Sequence, residues 1–267
     1  MRGHKRVICR ACLTTISLIV LVSGMAQAQT SQNTPAQAAP SKPAPEQTAK
    51  YQREAEERLH NDWAYLARYR EDNAKLGPPA AGVKRVVFMG DSITEGWGQR
   101  SGKFFPGKPY INRGISGQTT PQMLVRFRPD VIALRPKVVV ILAGTNDIAE
   151  NTGPATLEMI EDNLMSMVDL AKANGIRVVI ASVLPAFDFP WRPGLKPAGK
   201  IAALNAWIKT YAAGNEIVYL DYYSAMVDER QRMKAEFSFD GVHPNDAGYG
   251  VMAPLVERAI TEALGQR

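Results

Sequence analysis

Five short runs of β-branched and apolar residues, with helical stretches between them, constrain the fold of this chain most. The runs are Arg85–Met89, Pro109–Asn112, Lys137–Leu142 (KVVVIL), Ile176–Ala181 and Ile217–Leu220. They are continuous rather than alternating, which is the pattern of strands buried on both faces of a sheet. Helical patterns fall near 119–133, 154–174, 197–213 and 246–264, and Asn174-Gly175 ends one of them just before the fourth run. Strands separated by helices pair in parallel through βαβ units. The expectation is one three-layer α/β/α sandwich over 78–267 with an open five-stranded parallel sheet, flavodoxin-like in plan. Its roughly 190 residues are enough for a single core.

The amino-terminal part reads differently. Arg2, Lys5, Arg6 and Arg10 precede an apolar run from Ala11 to Val22, and Ala26-Gln27-Ala28 follows as a small-x-small cleavage pattern. That order predicts a signal peptide over 1–28, with Gln29 as the first mature residue and a periplasmic or secreted product. The run is too short for a bilayer-spanning helix, so no stable membrane insertion is expected after cleavage. Removal of the signal leaves 28 Lys and Arg against 26 acids, a net charge of +2 instead of +6. The basic balance therefore gives no reason to expect a nucleic-acid partner. Cys9 and Cys12 also leave, and His60 and His243 are the histidines that remain. Such a chain has no disulfide and a poor ligand set for zinc, so no metal site is expected. Residues 29–49, rich in Ala, Pro, Gln, Ser and Thr, read as a disordered linker. Residues 50–77 carry Tyr51, Ala55, Leu59, Trp63 and Leu66 at helical steps and predict one amphipathic helix, stopped by Gly77-Pro78-Pro79.

Ligands of open parallel sheets sit beyond the carboxyl ends of the strands. The segments in those places are Gly90-Asp91-Ser92-Ile93-Thr94-Glu95-Gly96, Asn112-Arg113-Gly114-Ile115-Ser116-Gly117, Ala143-Gly144-Thr145-Asn146-Asp147 and, before the last helix, Phe239-Asp240-Gly241-Val242-His243-Pro244-Asn245. Together they supply a hydroxyl, a glycine backbone donor, a carboxamide and an Asp-His pair, the inventory of serine acyl transfer. A glycine-rich stretch at Gly102–Lys108 lacks the Ser or Thr of a phosphate loop, since Pro109 stands there. There is no G-x-S-x-G elbow.

In these four blocks, GDSITEGW, NRGISG, GTND and DGVHPN, the sequence resembles the SGNH hydrolases, also called GDSL-type esterases and lipases. The resemblance covers about 82–265. It implies a three-layer fold with five parallel strands, no cofactor, and hydrolysis of esters or thioesters. It also implies an oxyanion hole from the backbone N–H of Ser92, the backbone N–H of Gly114 and the side-chain amide of Asn146.

Ser92 is expected to be the nucleophile, although Ser92-x-x-Glu95 also has the form of a helix capping box. His243 is the expected base and Asp240 the carboxylate that orients it; Asp240-Gly241 can also be a plain turn. Asp91 and Asp147 are expected to brace their loops. Phe187, Phe189 and Trp191, in the proline-stiffened loop 185–197, can stack on a sugar, line an acyl slot, or simply pack on one another. The expected substrate is a small-molecule or glycan ester with a short acyl group, acetyl above all. A lysophospholipase or thioesterase, and a vestigial carbohydrate-binding protein of the cell envelope, remain as alternatives.

Overall fold

The computed structural model describes residues 45–266. The predicted signal peptide and most of the predicted linker lie outside the described residues. The elements run, in chain order, α1 (Pro45–Asn61), α2 (Arg70–Leu76), β1 (Val86–Gly90), α3 (Ser92–Gly96), β2 (Tyr110–Gly114), α4 (Thr120–Asp130), β3 (Val138–Leu142), α5 (Thr145–Ile148), α6 (Leu157–Ala173), β4 (Arg177–Ala181), α7 (Ala198–Gly214), β5 (Val218–Leu220), α8 (Tyr223–Met226) and α9 (Asp246–Gly265). The five strands form one parallel sheet in the order β2-β1-β3-β4-β5.

Alternation along each strand divides the core between two faces. Val87, Met89, Val139 and Ile141 pack with Phe127 of α4, Leu164 of α6 and Leu204 of α7. Val86, Phe88, Val138 and Val140 face the other way, onto Trp97 and onto Met252 and Val256 of α9. Both faces are covered, which is why the central strands β1 and β3 are apolar, while the edge strand β2 carries Asn112 and Arg113. No helix among the described residues is long and apolar enough to cross a membrane.

The register aligns the carboxyl ends of the strands: Gly90 of β1 lies opposite Gly114 of β2 on one side and Leu142 of β3 on the other. The strand order reverses between β1 and β3, and the loops after these two strands carry Ser92 and Asn146 to that crevice.

The amino-terminal region departs from expectation. Instead of one helix over 50–77, α1 begins at Pro45, inside the predicted linker, and ends at Asn61. The chain then turns before α2. The Asp62 carboxylate is the cause, because it accepts the Leu66 and Ala67 N–H groups at 2.7 and 2.8 Å. A side chain that takes backbone donors in this way competes with helix continuation. Trp63 and Leu66 are consequently nearly two-fifths exposed, while Ala64 and Tyr69 are buried.

Candidate active site

Ser92 opens α3, but its hydroxyl does not cap that helix. Asp91 is the cap, its carboxylate accepting the Ile93 N–H at 2.9 Å. Glu95, the other half of the supposed box, turns away to Arg68 at 3.2 Å and to the N–H and hydroxyl of Ser116. The Ser92 hydroxyl is thus free to face His243, with Oγ 2.9 Å from Nε2.

His243 arrives on the loop before α9, and the loop is built around Asp240. One Asp240 oxygen accepts the backbone N–H groups of Val242 and His243 at 3.0 and 2.8 Å. The other lies 2.7 Å from His243 Nδ1. Burial works against this carboxylate, but its hydrogen bonds from the His243 ring and backbone outweigh it and hold the pKa down at about 2. An ionised Asp240 can only accept, so Nδ1 carries the ring proton and Nε2 presents its lone pair to the Ser92 hydroxyl. Ser238 closes the loop by donating to the His243 carbonyl at 2.7 Å and accepting the Gly241 N–H at 2.9 Å.

Asn146, in α5, is buried beside them. Its amide donates to the Gln118 carbonyl at 3.0 Å and approaches Asp91 Oδ2 at 3.3 Å. The second contact is the weaker of the two. Burial pushes the Asp91 carboxyl up to about 6, against the Ile93 N–H it accepts and the nearby His243. Asp147 braces α4 by accepting the Thr120 N–H and hydroxyl, and burial raises its pKa too.

Gly114 requires correction. Its N–H is donated to Asn112 Oδ1 at 2.9 Å, so it has no donor left for an oxyanion. The glycine is needed for another reason: a Cβ there would lie 2.1 Å from the Glu95 nitrogen and 2.7 Å from the Asp91 carbonyl oxygen, so β2 could not pack against α3. Gly117, three residues on, takes its place in the site. It lines a pocket of about 280 Å³ together with Ser92, Asn146, Trp191 and His243. Its φ of +79° is one that glycine adopts without strain.

Asn151 is a second residue that sequence reasoning missed. Its amide donates to the Gly117 carbonyl at 3.1 Å and to Asn146 Oδ1 at 2.9 Å, and its own carbonyl accepts the Trp191 indole N–H at 3.0 Å. It therefore ties Gly117 and Asn146 to each other and to the loop that carries Trp191. Asn151→Ala is expected to lower kcat by roughly 10- to 30-fold, about half in free energy of what the loss of one donor costs. Steady-state kinetics beside a thermal melt checks this. Unchanged kcat would mean that Gly117 and Asn146 hold themselves.

The aromatic loop divides. Trp191 lies at the site, its ring 5.9 Å from that of His243. Phe187 is exposed and faces a neighbouring cavity beside Asp240. Phe189 is fully buried in the core and packs against Trp191 at 5.2 Å, so it is a support for the loop and not a substrate contact. His60 is exposed on α1, near Glu56. A larger cavity of about 470 Å³, beside Arg177 and Glu216 at the amino end of the sheet, contains none of these residues.

The profile of the GDSL-like lipase/acylhydrolase family matches residues 88–251, well over half of the chain. The chain belongs to this family. The SGNH resemblance is thereby established, and with it membership of a family of carboxylic ester hydrolases. Two solved Bacteroides structures are similar across their whole length. A candidate acylhydrolase of Bacteroides fragilis is 51% identical, with a TM-score of 0.75 over 76% of this chain and 99% of that one. A GDSL-like lipase of Bacteroides thetaiotaomicron is 50% identical, with a TM-score of 0.73 over 76% and 100%. Among curated relatives, an acetylxylan esterase of Xylanibacter ruminicola is 28% identical over 220 residues, 68% of this chain and 44% of that one. The lipoprotein YqeF of Bacillus subtilis is 28% identical over 132 residues, 42% of this chain and 53% of that one. The chain thus spans about half the length of these last two.

Proposed function

We propose that this GDSL-family chain is an exported serine esterase that removes short acyl groups, acetyl above all, from a saccharide or another small carboxylic ester. The observation that carries this reading is the relay from Asp240 through His243 to Ser92, with spans of 2.7 and 2.9 Å. In the first half-reaction His243 Nε2 takes the Ser92 proton as Oγ bonds to the acyl carbon. The carbonyl oxygen becomes an oxyanion that faces the Ser92 and Gly117 N–H groups and the Asn146 amide. Collapse breaks the bond to the alcohol, which leaves with the proton from Nε2. Water then repeats the steps on the acyl-enzyme and releases the acid.

The short-acyl preference rests on the modest catalytic pocket and on the acetylxylan esterase among the relatives. A panel of p-nitrophenyl esters of rising chain length tests it, with acetylated xylo-oligosaccharides, a lysophospholipid and an acyl thioester alongside. The acetyl and propionyl esters are expected to give the highest kcat/KM. An optimum at eight carbons or beyond, or on the lysophospholipid, refutes the short-acyl reading. No hydrolysis of any ester refutes the enzyme reading.

Export rests on the charged, apolar and small-x-small order of residues 1–28. N-terminal sequencing of protein from the cell envelope or medium is expected to begin at Gln29. An intact Met1 in the membrane fraction speaks for an uncleaved anchor instead.

A further inference from the structure

A second cavity, of about 190 Å³, adjoins the catalytic pocket and shares Ser116, Gly117 and Asn151 with it. Its outer wall comes from outside the matched family span. Leu59 contributes from the end of α1, and Trp63 and Tyr65 from the turn that follows. We infer that this turn forms a saccharide subsite, which takes a pyranose ring neighbouring the one that carries the scissile ester. The inference rests on the esterase reading above and extends it to the shape of the substrate.

The turn is fastened to the same loops that carry the catalytic groups. Gln122 donates to the Trp63 carbonyl and Gln118 to the Ala64 carbonyl, each at 2.7 Å, and both glutamines are buried. A few residues on, the Tyr69 hydroxyl donates to the Gly114 carbonyl, and Arg68 pairs with Glu95 at 3.2 Å. A backbone held this firmly presents a side chain with nothing of its own to do. Trp63 is 39% exposed, and among the described residues its ring has no ring or cation partner and its indole N–H no acceptor. Exposed indoles at the rim of a cavity mark binding surfaces, since they offer a flat apolar face and one polar tip.

The remaining lining decides between a sugar and an acyl tail. Gln122 and Thr152 line this cavity with their side chains already paired to Trp63 and Thr119, while Arg58 lines it with its guanidinium over the Tyr65 ring at 4.7 Å. An alkyl chain would cover the Arg58 guanidinium without offering it an acceptor, whereas the hydroxyls of a pyranose accept from it while its C–H face covers the indole. Acylated oligosaccharides can therefore span both cavities, with the ester at Ser92 and the next ring at Trp63.

The test compares acetylated xylo-oligosaccharides with ethyl acetate, whose alcohol is too short to reach the second cavity. In the mature chain Trp63→Ala is expected to lower the ratio of kcat/KM for the oligosaccharide to that for ethyl acetate at least tenfold, through KM. Trp63→Phe is expected to restore the ratio to within threefold. A ratio that does not move, or a fall carried equally by kcat on both substrates, overturns the subsite. Binding supplies a readout that needs no turnover. Xylotetraose is expected to change the tryptophan fluorescence of Ser92→Ala protein and to lose this effect in the Ser92→Ala, Trp63→Ala double variant. Equal responses, or none, overturn the subsite. A response confined to Trp63 in a protein that hydrolyses no ester leaves the subsite standing and removes the esterase reading.

Discussion

Ser92→Ala is expected to abolish ester hydrolysis, by a factor on the order of 10⁵, while leaving the fold intact. The size of the loss follows from the surroundings, because no neighbouring hydroxyl can substitute. The Ser116 hydroxyl is committed to Glu95 and accepts from Arg100. The Ser238 hydroxyl donates to the His243 carbonyl and so points away from the ring face that takes protons. Stability should change by less than about 1 kcal/mol, because the Nε2 atom left unpaired belongs to a ring with a quarter of its surface open to solvent. A fluorophosphonate probe should label the wild type and not the variant. Labelling that persists, or a melting temperature that collapses with the activity, refutes the assignment of Ser92.

How much of such a site is legible in the amino-acid sequence depends on what each residue answers to. The central strands are legible because burial on both faces leaves them hardly any polar position, the edge strand β2 is a weaker signal with Asn112 and Arg113 in it, and all five observed strands lie within a residue or two of the runs. Ser92, Asn146, Asp240 and His243 are legible because each follows a strand or precedes the last helix, and the parallel register brings all such places to one edge. Gly114 and Gly117 are not separable on the same grounds. Both lie in NRGISG, and only the Asn112 side chain, folding back on the Gly114 N–H, removes one of them. A cue is present, since Gly117 sits shortly before the Thr119 cap of α4 and hence at the tip of the loop. Phe189 cannot be told from Phe187 and Trp191 without tertiary contacts, because a loop has no periodicity to separate its faces. The break at Asp62 is hidden for a similar reason: the helical stripe through Leu59, Trp63 and Leu66 records spacing, and says nothing of a carboxylate that prefers backbone donors. That break is what delivers Trp63 to the rim of the site.

Asp240→Asn is expected to lower kcat by roughly 10³- to 10⁴-fold, nearly as severe a loss as removing the base itself. The amide keeps an oxygen for the Val242 and His243 N–H groups, so the loop should hold its shape. What it loses is the charge opposite Nδ1 at 2.7 Å, and with it the stabilisation of the imidazolium that forms as Ser92 attacks. The pH dependence separates this carboxylate from its neighbours. With a pKa near 2, Asp240 is ionised throughout the working range, so an acid limb in kcat/KM cannot be its titration. The groups that remain are the base His243 and the buried carboxyls of Asp91, pushed up to about 6, and of Asp147, raised as well. They are distinguished by substitution. Asp91→Asn should keep a one-proton acid limb if His243 must be neutral to act as base, and His243→Ala should leave no activity to titrate. A limb that vanishes in Asp91→Asn with the plateau rate preserved assigns it to Asp91 instead. Stability carries opposite signs at the two acids. The depressed pKa of Asp240 gives a contribution that is present above the unfolded value of about 3.9 and lost as pH falls towards 2. The raised pKa of Asp91 means that the folded chain holds a proton the unfolded chain releases, so its contribution declines as pH rises from about 4 to 6. Thermal melts should therefore show Asp240→Asn flattening the acid side below pH 4 and Asp91→Asn flattening the slope between pH 4 and 6. Melts of the two variants that shift in parallel with the wild type at every pH would remove this electrostatic account of the loop and of the crevice beneath Ser92.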